Sequence, residues 1–154
     1  MANGYQDPSF IREVLSYEIA RKYLPSSQAN FSNLYINDSL WGLYTNVESI
    51  NNPFLIKHFD SKYNSFFKCN PENINIQIGG ENSNLSQSHG LDSLNYIPFY
   101  ILKSDYGWSD LYNLIDTLNN YSDSINYILN VDRALWMHAI NYSLINFDSY
   151  VRYS

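Results

Sequence analysis

Apolar and polar positions along the chain divide it into a helix, a hairpin and a mostly helical remainder. Asp7-Pro8-Ser9 opens the first element. Asp7 suits an N-cap, and Pro8 suits the first helical position, where its missing N–H costs nothing. The spacing predicts a helix over FIREVLSYEIARKYL, stopping before Pro25, with a stripe of Ile11, Val14, Leu15 and Ile19. On that wheel Glu18 falls inside the stripe and Glu13 points away from its centre. A carboxylate on a core face is costly unless paired, so Glu18 either snorkels to the edge or meets a cation from elsewhere.

Residues 31–48, FSNLYINDSLWGLYTNVE, alternate as a β-hairpin does. Asn37-Asp38-Ser39 is turn chemistry, Gly42 marks a bulge or a close approach, and Glu48 ends the second strand. Asn51-Asn52-Pro53 opens a short helix, FLIKHF, and Ser65 to Cys69 reads as a strand. Residues 70–95 are rich in Asn, Ser and Gly. They read as a long loop or small ribbon, with one β-like run, INIQI. From Tyr106 the pattern is helical. Ser109-Asp110 precedes LYNLIDTLNNY, with Leu111, Leu114, Ile115 and Leu118 in phase, and Ser122-Asp123-Ser124 caps a short turn. No internal repeat is visible. The expected class is α+β, with strands early and helices late.

Asn130 to Tyr150, NVDRALWMHAINYSLINFDSY, predicts a helix apolar on all sides, capped by Asn130. Such helices are normally buried in a larger domain. Asp148 follows its end. It either caps a turn, as Asp does well, or is a carboxylate presented by a rigid support, a placement that catalysis uses.

Composition narrows the chemistry. The 154 residues suit one domain or part of a larger one, and 45% hydrophobic content supports a substantial core. The 15 tyrosines need hydroxyl partners wherever they are buried. A net charge of −6 with no basic run argues against nucleic acid as the main partner. No apolar run approaches the roughly 20 residues that span a bilayer. MANGYQDPSF has neither the charged nor the apolar part of a signal peptide, and localisation stays open. The single Cys69 excludes an internal disulfide and reads as a packed residue rather than a nucleophile.

One Cys and three isolated histidines, His58, His89 and His138, lack zinc-ligand spacing, so no metal site is assigned within the chain. His138 reads as a core histidine. There is no GxSxG, and IGGEN lacks the glycine pattern and Lys-Ser/Thr of a phosphate loop. Nothing selects a carboxylate pair for glycoside chemistry, although the tyrosines suit a glycan or peptide groove. What remains is an order of parts: a helix with a candidate inward Glu, a hairpin ending at Glu48, and a helix delivering an Asp. That is the order in a protein kinase.

Three blocks carry this further: DPSFIREVLSYEIARKYLP, NLYINDSLWGLYTNVESINNPFLIKHF and NVDRALWMHAINYSLINFDSY. In sequence and order they resemble the CotH family, the spore-coat-protein-H-like atypical kinases. The YIN-x-x-x-WGLYTNVE and VDRALW…NFDSY blocks are the specific ones. The resemblance implies a partial protein-kinase-like fold, with the first helix and hairpin ending a small lobe at about residue 48 and the helical remainder belonging to the large lobe. It implies phosphate transfer from ATP, with Mg2+ or another divalent metal, to serines of secreted or spore-coat proteins, and a secreted, cell-surface or spore-coat location.

By the same resemblance Asp148 is the catalytic aspartate of the Asn-aromatic-Asp motif, and Glu48 lies near the nucleotide hinge. Glu18 is the candidate to pair the phosphate-binding lysine, with Glu13 its rival. The family's basic residue before the first helix, and its later metal-ligating Asn and Asp, have no counterpart here. An internal segment with part of each lobe, inactive alone, is therefore expected. Some relatives act at cell surfaces in adhesion, so a non-catalytic interaction protein on the same scaffold is the second implied reading.

Overall fold

The computed structural model describes residues 4, 7–69, 83–90 and 92–146. The chain divides into two compact units, Met1–Lys62 and Tyr63–Ser154.

In the first unit the Asp7 carboxylate accepts hydrogen bonds from the Ser9 N–H at 3.1 Å, the Ser9 hydroxyl at 2.5 Å and the Arg12 N–H at 2.9 Å. Ser9's bonds and Arg12's guanidinium hold the Asp7 carboxyl below its usual range. The expected cap is corrected: residues 8–10 form a turn with Pro8 outside the helix, helix α1 spans Arg12–Ala20 with Ile11 at its N-cap position, and Asp7 reaches the first helical N–H from five residues back. The helix packs on the hairpin strand β1.

The expected inward face of α1 is corrected. Ala20 is buried and Glu13, Val14, Tyr17 and Ile19 are half-buried, whereas Ile11, Leu15 and Glu18 are exposed. The packed face is rotated toward small Ala20, which lets the helix approach closely. Glu13 is therefore the carboxylate on the packed side, and it raises the Tyr17 hydroxyl's pKa, adding to the effect of burial.

Strands β1 (Ala29–Ile36) and β2 (Ser39–Val47) pair antiparallel. Asn37 and Asp38 both take positive φ, 50° and 60°, as a two-residue primed turn requires. The register slips between Leu34 and Tyr35, opposite Gly42, whose φ is 144°. The predicted bulge is there, at a residue without a Cβ. Helix α2 (Asn52–Phe59) is capped by Asn51, which accepts from the Phe54 N–H at 3.4 Å, and it buries Phe54 and Leu55.

In the second unit β3 (Phe67–Cys69) pairs antiparallel with β4 (Tyr100–Leu102), a strand the sequence pattern did not announce. Helix α3 (Trp108–Asn120) buries Leu111 and Ile115 against Tyr96, Phe99 and Tyr100, with Phe67, Leu85, Trp108 and Tyr112 around them. The helix starts from Gly107 at φ 145°; a Cβ there would lie 2.9 Å from the Ser65 Cβ. Two buried tyrosines find partners: the Tyr96 hydroxyl donates to the Gly90 carbonyl at 2.9 Å, and the Tyr100 hydroxyl accepts from the Leu85 N–H at 2.8 Å. The described part of the Asn-rich segment is pinned to α3. There Gln87 donates to Asp116 at 2.9 Å and Asn119 to the Leu85 carbonyl at 2.9 Å. INIQI lies outside the described residues.

Residues 122–127 form a 3-10 turn, and α4 (Val131–Ser143) follows, capped by Asn130, which accepts from the Arg133 N–H at 2.9 Å. The expectation of a helix buried on all sides is corrected. Only Ile140 is buried; Leu135 is 62% exposed, and Trp136, Met137 and Tyr142 are exposed too. His138 is half-buried rather than a core residue. None of the other described helices or strands packs extensively on α4.

Candidate functional site

The candidate residues of the first unit gather at the base of the hairpin, where the two strands begin and end. Ala29 faces Val47 and Asn30 faces Asn46 in register. One step further the pairing continues through a side chain. The Glu48 N–H donates to the Gln28 carbonyl at 2.8 Å, and the Gln28 N–H donates back to Glu48 Oε2 at 3.0 Å. Lys57 Nζ, on α2, sits 3.5 Å from Glu48 Oε1. The Gln28 hydrogen bond and the Lys57 charge hold the Glu48 carboxyl below its usual range, with His58 adding to the effect.

Glu48 is therefore a brace. It closes the hairpin below its last strand pair and ties the strand end to α2 across residues 49–51. Each of its oxygens accepts one bond within the unit, which fixes the carboxylate in place. Its contribution is to fix the direction of the segment that leaves β2.

Beside the brace lies a cleft of about 430 Å³, lined by Arg21, residues 28–30 and residues 46–48. Arg21 follows the end of α1. Its Nη1 donates to the carbonyl of buried Ser27 at 2.9 Å. Arg21, Gln28 and Lys57 carried no signal along the chain, because what matters about them is a meeting of separate elements. The one available hint was Lys57, in the last turn of a capped helix shortly after Glu48.

Glu18 stands on the exposed side of α1 and makes no ion pair among the described residues. It is not brought to Glu48's cleft. Asp148 lies outside the described residues. The approach to it is described: α4 ends at Leu144, Ile145 takes φ 52°, and Asn146 bonds back to Asn141. These bonds run from the Asn146 N–H to the Asn141 carbonyl at 2.9 Å and from the Asn146 side-chain amide to the Asn141 side-chain oxygen at 3.0 Å. The Asn of the Asn-aromatic-Asp motif thus anchors the turn to the helix.

Among the described residues no three of His, Cys, Asp and Glu gather as a metal site would require. Cys69 is exposed as a residue, yet burial around its sulfur pushes the thiol up, which disfavours a thiolate. No described helix is long and apolar enough to cross a membrane.

A helix packed on an antiparallel hairpin, followed by a helical unit with a second small sheet, is an α+β arrangement compatible with part of a kinase-like fold. Comparison with family models matches residues 1–153 to the family described as CotH kinase protein, and the chain belongs to that family. No curated protein matches it.

Proposed function

We propose that this chain belongs to an ATP-dependent protein kinase of the CotH type that phosphorylates serines of secreted or spore-coat proteins. The observation that supports it is the family match across residues 1–153. In this reading the small-lobe part ends at about residue 48, and the hinge is the segment that leaves β2. The Glu48–Gln28–Lys57 brace sets where that segment faces the nucleotide. Asp148, presented beyond the Asn146 anchor, orients the acceptor hydroxyl. A divalent metal would supply charge neutralisation on the phosphates.

The inward carboxylate of α1 is Glu13 rather than Glu18, so Glu13 becomes the first choice for pairing a phosphate-binding lysine, with Glu18 the alternative. The test uses the natural protein carrying this chain, labelled ATP, Mg2+ or Mn2+, and a serine-containing acceptor. Asp148→Ala is expected to reduce transfer by at least about 100-fold, with nucleotide affinity retained. Undiminished transfer in that variant would remove Asp148 from the chemistry.

One observation favours the non-catalytic reading as the second choice. Tyr35 and Leu40, paired across the hairpin, and the neighbouring Trp41 are each exposed near its turn, as residues of an interaction surface would be. A natural protein that binds no nucleotide but loses partner binding on Trp41→Ser would decide for it.

A further inference from the structure

The cleft at the hairpin base holds a cation that the fold does not neutralise. Arg21 has no carboxylate within 4.0 Å among the described residues, and it is not among the charges acting on Glu48. One of its N–H groups is committed to the Ser27 carbonyl, which holds the guanidinium in place. That leaves the rest of its donor fork for a ligand. Asn30 and Asn46 stand directly opposite each other on the strands, and with Gln28 they are among the residues that line the same cleft.

The one carboxylate on the wall, Glu48, is already occupied by the Gln28 N–H and by Lys57. Lys57 offsets part of its charge, and what remains weighs against an anion. Among the described residues the cleft still presents spare donors and a guanidinium without a carboxylate partner.

We propose that this cleft binds a phosphate monoester, with Arg21 as the anchor and the amides of Asn30 and Asn46 completing the donor set. A phosphate is favoured over a carboxylate because its three terminal oxygens use more of these donors. The volume, about 430 Å³, admits a phosphorylated amino acid side chain with flanking atoms or a mononucleotide. The site differs from the catalytic reading, since it needs neither Asp148 nor phosphoryl transfer.

The experiment is titration calorimetry of the natural protein carrying this chain with inorganic phosphate, O-phosphoserine and AMP, in chloride buffer. Saturable binding of phosphate and phosphoserine is expected, with Kd on the order of 1 mM. Arg21→Gln and Asn30→Asp should each weaken it by about 10-fold. Asn30→Asp leaves the Arg21–Ser27 bond intact, so its thermal midpoint should match the parent's. It therefore keeps the test valid if Arg21→Gln fails to fold.

With phosphate itself binding saturably, tighter binding of phosphoserine would make the ligand protein-borne, and tighter binding of AMP than of phosphoserine would make it a nucleotide phosphate. Either supports the site. Absence of saturable phosphate and phosphoserine binding, or binding unchanged by Asn30→Asp, would overturn it. AMP binding without the other two would overturn it as well, pointing to base recognition instead. All arms are read without turnover, so failure here leaves the kinase reading untouched.

Discussion

The two units are held by different forces. In the second, stability resides in a contiguous apolar cluster: Ile115 is 2% exposed, with Tyr96, Phe99, Tyr100 and Leu111 around it. In the first, the hairpin buries little. Phe31, Tyr35, Leu40 and Leu43 are exposed, and Thr45 is the only residue of β1 or β2 that is buried. Ala20, Leu24, Phe54 and Leu55 are buried elsewhere in that unit, but the hairpin itself is shaped by backbone pairing, the primed turn and the Glu48 brace. Two-stranded ribbons are marginal without such support. Packing resists single polar deletions, whereas a braced hairpin depends on a few bonds that pH and salt can weaken.

The largest effect should come from cutting the cluster. Ile115→Ala should cost the second unit about 3 kcal/mol, the usual range for a large aliphatic side chain truncated in a core. Hydrogen exchange followed by mass spectrometry resolves the two units. Protection in α3 should fall steeply while that of β1 and β2 stays. A uniform loss in both units would show that they unfold together, and the contrast between them would not hold.

The brace should respond more gently, and to pH. Glu48→Gln keeps an acceptor for the Gln28 N–H but removes the charge facing Lys57, so a loss of about 1 kcal/mol or less is expected in hairpin protection. The sign follows from the lowered carboxyl. Its folded value lies below the ordinary 4.5, so its stabilisation is complete above about 4.5 and is lost as pH falls through the folded value. Parent and variant should therefore differ at pH 7 and converge in the acid range below 4.5. A difference that persists or grows at low pH would mean that the charge on Glu48 is not what holds the strand end.

Local chemistry was legible in the sequence. Asn51 and Asn130 cap their helices, Asn37-Asp38 turns the hairpin and Gly42 sits at its bulge, because each is decided within a few residues. Which face of α1 packs was not legible. Ile11 and Leu15 outweigh Ala20 on a hydropathy wheel, yet close approach to β1 selects the small residue. Strand β4 and the Tyr96–Phe99–Tyr100 core escaped too, since three-residue pairing with β3 leaves no period to read. Of the candidate site, Glu48 was visible as a strand-end carboxylate. Its partners Gln28 and Lys57 were not, because they arrive from separate elements.

Helix α4 gives the smallest expected effect and the sharpest use of the contrast. It has the composition of a buried helix, yet Leu135 is 62% exposed. Leu135→Gln preserves helix propensity, so at a position 62% exposed among the described residues it should change stability by less than about 0.5 kcal/mol. The measurement is a denaturant midpoint, with exchange protection of α4 read alongside. A loss of about 2 kcal/mol or more would be the signature of a covered side chain. Helix α4 would then share in the packing of the second unit, to which it belongs. The turn at Asn146 that leads to Asp148 would also be seated on a buried support, as a catalytic aspartate requires.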